Sequence, residues 1–261
     1  MLTAEQLVAV ARVHQAQLLA LAVRHADQLR RLWARLAPVD DTALARWLDT
    51  AVPAAAAANV QAAYAAAAYI DLAVAAATDT PMVATSVDTV AAAAPRPTPP
   101  ATVWTRPVIV VRTALARGAD LATAQRLGAD RVDQIARTDP PLAARAAAHS
   151  SMSAYPEVVG YRRVPDGDAC PFCLLASTQR YHVRDLMPLH SRCGCTVAPI
   201  IGTVDPGHVI DRGLADRLMT DDPALGRRGA ARQRARDLAA EGRAAADRVG
   251  ITELGPTLIT R

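Results

Sequence analysis

From Thr3 to Leu36 the apolar residues Leu7, Ala11, Leu18, Leu21, Leu29, Leu32 and Leu36 recur at three- and four-residue steps, and Arg12, Arg24, Asp27 and Arg30 fall mostly elsewhere. That period predicts one long amphipathic helix. His14 and His25 lie near the same stripe, but three turns separate them by about 16 Å, too far to share one ion. They read as histidines at the edge of a core. Pro38 interrupts the pattern, and Asp40 or Asp41 supplies an N-cap for a short helix carrying Leu44, Trp47 and Leu48. After a further turn, Pro53 is expected to open an alanine-rich helix reaching about Ala77, with Val60, Tyr64, Ala67, Ala68 and Asp71 along one side.

Between Thr78 and Pro107 the prolines at 95, 97, 99, 100 and 107 argue against a continuous helix and predict a linker or extended arm. Thr105 and Pro107 resemble a cap and first turn for a helix to about Arg117. Asp120 opens another to about Arg137, and Pro141 to Ser150 completes a second helical group. From Gly160 to Ile201 β-branched residues, aromatics, turns and cysteines gather, which predicts two or three short strands around a knuckle. Beyond Pro206 the chain reads as helical from about Ala224 to Arg248, then as an irregular end, ITELGPTLITR.

The predicted fold class is therefore mainly α: a helical bundle with an extended proline-rich linker and a small α+β cysteine/histidine knuckle module near the C-terminus. The corresponding regions are 1–78, an N-terminal helical region; 79–106, the Ala/Pro-rich linker or arm; 107–150, the second helical group; 151–210, the knuckle module; and 211–261, a basic helical tail.

Composition sharpens this picture. Of 261 residues, 59 are alanine and only 3% are aromatic, so the 51% hydrophobic content is shallow. Alanine removes little surface from water but is the best helix former, which favours closely approaching helices over a sandwich or barrel. All 29 basic residues are arginine, against 25 acids, for a net charge of +4. Read blandly, this is a GC-rich coding sequence; a charge so small does not by itself define a nucleic-acid binder. The first nineteen residues lack a charged leader and an unbroken apolar core, so the chain is expected to stay inside the cell that makes it. Asn59, Gln61 and Asp71 interrupt the most membrane-like stretch, Val52 to Ala77, which reads as a buried helix.

The four cysteines fall in one short window, which points to metal rather than a disulfide framework. Cys170 and Cys173 form C-x-x-C, and His190, Cys193 and Cys195 form H-x-x-C-x-C. Two such turns separated by a loop suit a closed tetrahedral structural zinc site, and metal binding would supply folding free energy to a module with little core. Five candidates compete for four places. Cys170, Cys173, Cys193 and Cys195 are the first choice; Cys170, Cys173, His190 and Cys193 are the second, with Cys195 turned into the core. The structural alternative is that the cysteines pack as small buried residues or form disulfides outside a reducing cell.

A catalytic zinc needs an open position and a nearby acid or base. Asp166, Asp168, His182 and Asp185 are available, but the motifs that arm zinc hydrolases or deaminases are missing from the sequence. A Cys173 and His190 nucleophilic pair has no orienting third group in the sequence. A non-enzymatic role is expected.

The combination GYRRV, ACPFCLLAS, an intervening Tyr181 and LHSRCGCTVAPI resembles the C-terminal signature of MuF-like minor capsid proteins, or head morphogenesis proteins, of tailed phages, especially those of actinobacteria. The resemblance covers about 40 residues; RPVIVVRTALARGADLATAQRLGADRVDQIART upstream is similar in style to the family's preceding helices. It implies a protein made in the infected host's cytoplasm and built into the capsid interior near the portal. Its implied partners are the portal and the major capsid or scaffold proteins, with packaged DNA a candidate and no membrane involved. Some family members carry a maturation protease domain, for which this chain shows no counterpart in sequence.

Arg227, Arg228, Arg232, Arg234 and Arg236 crowd the predicted tail helix. They suit phosphate or an acidic partner surface, and equally a solvated helical face compensated by Glu241 and Asp247. The competing classes are a zinc-dependent nuclease of the His-metal finger type, which would need a further catalytic His and metal-holding residues beside the knuckles, and a DNA-binding regulator, which would favour a compact helix-turn-helix.

Overall fold

A computed structural model describes residues 2–36, 40–166, 176–177, 179–183, 194–207, 249–252 and 255–258. Its described part is mainly helical with a small sheet: α1 (Ala4–Trp33), α2 (Asp41–Thr78), α3 (Thr89–Ala93), α4 (Pro100–Ala116), α5 (Leu121–Ala154), β1 (Val158–Val164), β2 (Arg180–Tyr181), β3 (Thr196–Ile201), β4 (Val249–Thr252) and β5 (Gly255–Leu258).

The long first helix forms as its period predicts, burying Leu7, Ala11, Leu18 and Leu29. The next two predicted helices are one. Pro53 lies inside α2 on an exposed position, so the carbonyl left without its helical N–H can face water. Trp47, Ala51 and Ala55 carry the buried stripe straight through it. The predicted side of α2 is buried only in part: Ala67 and Asp71 are buried, but Tyr64 is 52% exposed and Ala68 is exposed, and Ala62, Ala63, Ala66, Tyr69, Ile70, Ala73 and Val74 complete the buried surface. With alanine at nearly every position, hydrophobic period could not choose the face. By length and hydropathy α1 and α2 would each suffice to cross a bilayer; of the three polar interruptions in α2, Asn59 and Asp71 are buried and Gln61 is exposed.

Prolines mislead twice more. The proline-rich stretch contains α3, capped by Asp88 through the Val90 and Ala91 N–H groups at 3.0 Å, and α4 starts at Pro100 rather than at Thr105. Proline at the first helical position loses nothing, because that N–H has no intrahelical partner. Likewise α5 runs unbroken across Pro140 and Pro141. Interior prolines cost about 3 kcal/mol, yet Val132, Ile135, Ala136, Ala143, Ala144, Ala148 and Met152 stay buried at helical spacing on both sides. Asp120 caps α5 as expected, accepting from the Thr123 N–H at 2.7 Å.

The chain divides into two compact units. One comprises Ala16–Ala68 and Thr85–Ser150. Its core joins Ala26, Leu29 and Trp33 of α1, Trp47, Ala51 and Ala55 of α2, Val103, Trp104, Val108 and Val111 of α4, and Ala124, Val132, Ile135 and Ala136 of α5. The three tryptophans meet edge to face, at 5.2 Å between Trp33 and Trp47 and 5.9 Å between Trp47 and Trp104. Two of the buried indole N–H groups find carbonyls there: Trp33 donates to Gln125 and Trp47 to Trp104. Gly128 permits this packing, since a Cβ there would sit 2.7 Å from Val111 Cγ2 and closer still to the Trp33 ring. The expected arm sends Arg96 inward, where its Nε meets Asp139 at 2.6 Å with both residues buried. Burial pushes the Asp139 carboxyl up despite that guanidinium.

The other unit comprises Met1–Gln15, Tyr69–Ala84 and Ser151–Arg261. It holds the three-stranded antiparallel sheet, ordered β2-β1-β3. This agrees with the two or three strands predicted there. A second antiparallel pair, β4 with β5, forms within the segment expected to be irregular. The predicted tail helix, about 224–248, lies outside the described residues.

Candidate functional site

The sequence directs attention to the segment joining β1 to β3. Tyr161 pairs with Pro199, Arg162 with Ala198, Arg163 with Val197 and Val164 with Thr196. The last pair closes the segment: the chain leaving β1 at Val164 and the chain arriving at Thr196 are neighbours. Cys195, one residue before Thr196, is buried.

A side chain from α1 holds this closure. Gln15, itself buried, donates its amide to the Val164 carbonyl at 3.0 Å and to the Gly194 carbonyl at 2.9 Å. The two N–H groups of one amide thus satisfy one carbonyl on each arm. On α2, Tyr69 donates its phenol to the Val197 carbonyl at 2.8 Å. Its ring stacks on His14 at 4.6 Å and 7°. Burial drives the phenol upward and lowers His14 to about 4, so at neutral pH both are uncharged and the stack carries no net charge.

The outer strand is fixed by different chemistry. A Cβ at Gly160 would lie 2.6 Å from the Tyr181 carbonyl oxygen, so glycine allows β2 its approach. Tyr161 and Tyr181 stack at 5.2 Å, and the buried Arg163 guanidinium carbon sits 5.4 Å from the Tyr181 ring centre. That distance is within reach of a cation–π attraction. Arg162 grips Asp205 through two bonds of 2.9 Å, and Gly207 N–H adds another of 2.9 Å. The Arg162 bond is the largest cause holding Asp205 down at about 2. At the base of this unit, Asp71 accepts from Ser151 at 2.8 Å and from Tyr155 at 3.0 Å.

Of the predicted metal ligands, only Cys195 falls among the described residues; Cys170, Cys173, His190 and Cys193 lie outside them, as do Arg227, Arg228, Arg232, Arg234 and Arg236. Among the described residues no three His, Cys, Asp or Glu side chains converge. His14 and His25 are both buried, as their stripe predicts. Sequence reading passed over Gln15 and Tyr69. Tyr69 offered a signal, being a large residue within an alanine run; Gln15 offered none, because a polar residue beside an apolar stripe reads as helix surface.

A small antiparallel sheet with Gln15 and Tyr69 bonded to its strands, in a mainly helical chain, is the frame on which the comparisons bear. The VG15 protein family model matches residues 1–208, and the chain belongs to that family of phage proteins. No curated protein and no solved structure matches it.

Proposed function

We propose that this protein is a non-enzymatic minor capsid protein of the phage head, of the MuF-like head morphogenesis type. In this reading it sits inside the capsid near the portal, works with the portal and the major capsid or scaffold proteins, and aids head assembly or DNA packaging and delivery. The observation that carries the reading is the signature GYRRV and LHSRCGCTVAPI, whose first and last parts supply paired strands β1 and β3. The first and last of the resembling segments thereby share one antiparallel sheet, and membership of the VG15 family supports the phage origin that the reading requires. Mass spectrometry of purified procapsids and virions tests it. A few copies per particle, enriched with portal, are expected; recovery only in the head-free lysate fraction would refute it.

Within that module a structural zinc is part of the proposal. The Val164 and Thr196 pairing, with Gln15 across its mouth, closes the segment bearing the other four candidates, and buried Cys195 stands beside it. Cys170, Cys173, Cys193 and Cys195 remain the first choice, with His190 the substitute ligand. Four thiolates would give a closed site that stabilises the fold and leaves no position for substrate. Metal analysis of the purified chain is expected to find one zinc per molecule, reduced in Cys170→Ser. Equal zinc in both would defeat the four-thiolate site.

A further inference from the structure

Two adjoining grooves lie along α1 in the unit comprising Ala16–Ala68 and Thr85–Ser150. The first, about 580 Å³, lies between α1 and α2 and includes Arg24, Asp27, Gln28 and Arg31, with Gln61 opposite. The second, about 560 Å³, lies between α1 and α5 and includes Arg30, Arg31 and Arg126. Asp27 and Arg31 line both, so the grooves share a wall at that point.

Three α1 guanidiniums thus share one carboxylate, Asp27, and Arg126, whose charge also acts on Asp120, adds a fourth, in a protein whose whole net charge is +4. Arg24, Arg30 and Arg31 are exposed, and none makes an ion pair with another described residue. This contrasts with Arg96, Arg112, Arg137 and Arg162, each held by an aspartate. Arg24 and Arg31 are two helical turns apart, about 10.5 Å along the axis. The cations are therefore spread along a track longer than one phosphate. Trp33, the aromatic beside the second groove, is buried, so the track offers no ring for an unpaired base to stack on.

We propose that this arginine track binds the phosphate backbone of duplex DNA without reading its sequence. The chemistry fits: arginine presents a planar fork to phosphate oxygens and stays charged at every working pH. A repeating line of phosphates matches a repeating line of cations, where one small anion would leave most of them unused. The inference rests on the head-protein reading and deepens it by assigning DNA contact to residues other than the arginines of 227–236.

Fluorescence anisotropy of the full chain with a labelled random-sequence duplex, across a salt series, tests it. The variant Arg24→Gln/Arg30→Gln/Arg31→Gln is expected to bind more weakly, and its plot of log affinity against log salt should flatten by about 0.9 for each phosphate that the arginines no longer neutralise. Asp27→Asn should bind severalfold more tightly, a gain that misfolding cannot imitate. Arg12→Gln, on the same helix outside both grooves, should leave binding unchanged. Wild-type affinity in the triple variant, or no tightening in Asp27→Asn, would overturn the proposal. So would weakening confined to a variant of the five arginines at 227–236, a preference for single strands, or full competition by inorganic phosphate at equal phosphate concentration. If the triple variant leaves heads while keeping its duplex affinity, the track serves an acidic protein and the DNA assignment falls. Normal copy number in heads without DNA binding by the triple variant supports this proposal and leaves the head assignment intact; arginine-dependent duplex binding by a wild-type protein missing from heads supports this proposal and refutes the head assignment.

Discussion

The side-chain amide of Gln15 donates to the carbonyl of Gly194 at 2.9 Å, joining residues 179 positions apart in the chain. Its second hydrogen bond reaches Val164, so one helix residue ties both arms of the cysteine-bearing segment. Gln15→Ala removes both donors and strands two carbonyls in a buried place. A buried unsatisfied group costs about 1–3 kcal/mol, and urea denaturation should register a loss in that range. Gln15→Glu should be worse, since a carboxylate repels both carbonyls; equal stability of the three proteins would contradict the bridging role.

Tyr69→Phe keeps the ring over His14 and deletes only the bond to Val197. The expected loss is about 1 kcal/mol, read as a lower melting temperature, while Tyr69→Ala should cost about 3–5 kcal/mol by leaving a cavity as well. A phenylalanine variant as unstable as the alanine variant would show that the hydroxyl, not the ring, dominates.

Acid should weaken the fold in a definite window. Burial lowers His14 and His25 to about 4 from 6.5, so the unfolded chain binds more protons than the folded one between those values. Their neutral state contributes stability that is fully present above pH 6.5, is lost as pH falls towards 4, and changes no further below. Each contributes up to about 3 kcal/mol on this accounting, and Asp139, pushed up by burial, acts in the opposite direction. The double variant His14→Phe/His25→Leu should flatten the slope of stability against pH between 4 and 6.5. An unchanged slope would remove these histidines from the explanation.

Gly128→Ala sets two effects against each other. Alanine gains about 1 kcal/mol of helix propensity, but its Cβ would press on Val111 and Trp33, and overpacking costs about 1–3 kcal/mol. The ring is pinned by its bond to Gln125 and its edge contact with Trp47, so the clash should win and denaturant midpoints should fall. A rise would mean that the tryptophan cluster repacks easily.

Asp205→Asn removes the charge that binds Arg162 and lies near Arg180. Because Asp205 is held at about 2, its contribution is present above the ordinary carboxylate value of 3.8 and is lost as pH falls through 2. Comparing wild type and Asp205→Asn at pH 7 and pH 2 should therefore give a stability gap at the first pH that shrinks at the second.

Local chemistry by itself determined much of this protein. Alanine abundance and the spacing of Leu7, Ala11, Leu18 and Leu29 specified helices; Asp120 marked a helix start; the β-branched clusters around Gly160 and Ile201 marked strands. Each of these signals acts within a few residues. Helix continuity was different: whether Pro53, Pro140 and Pro141 ended a helix depended on buried partners on both sides, and those partners come from other elements. Tertiary structure likewise chose which alanines of α2 are buried, turned Arg96 inward to Asp139, and brought Gln15 and Tyr69 to strands that lie far along the chain. Such choices rest on shape and on pairing polar groups in low dielectric, which no local period encodes.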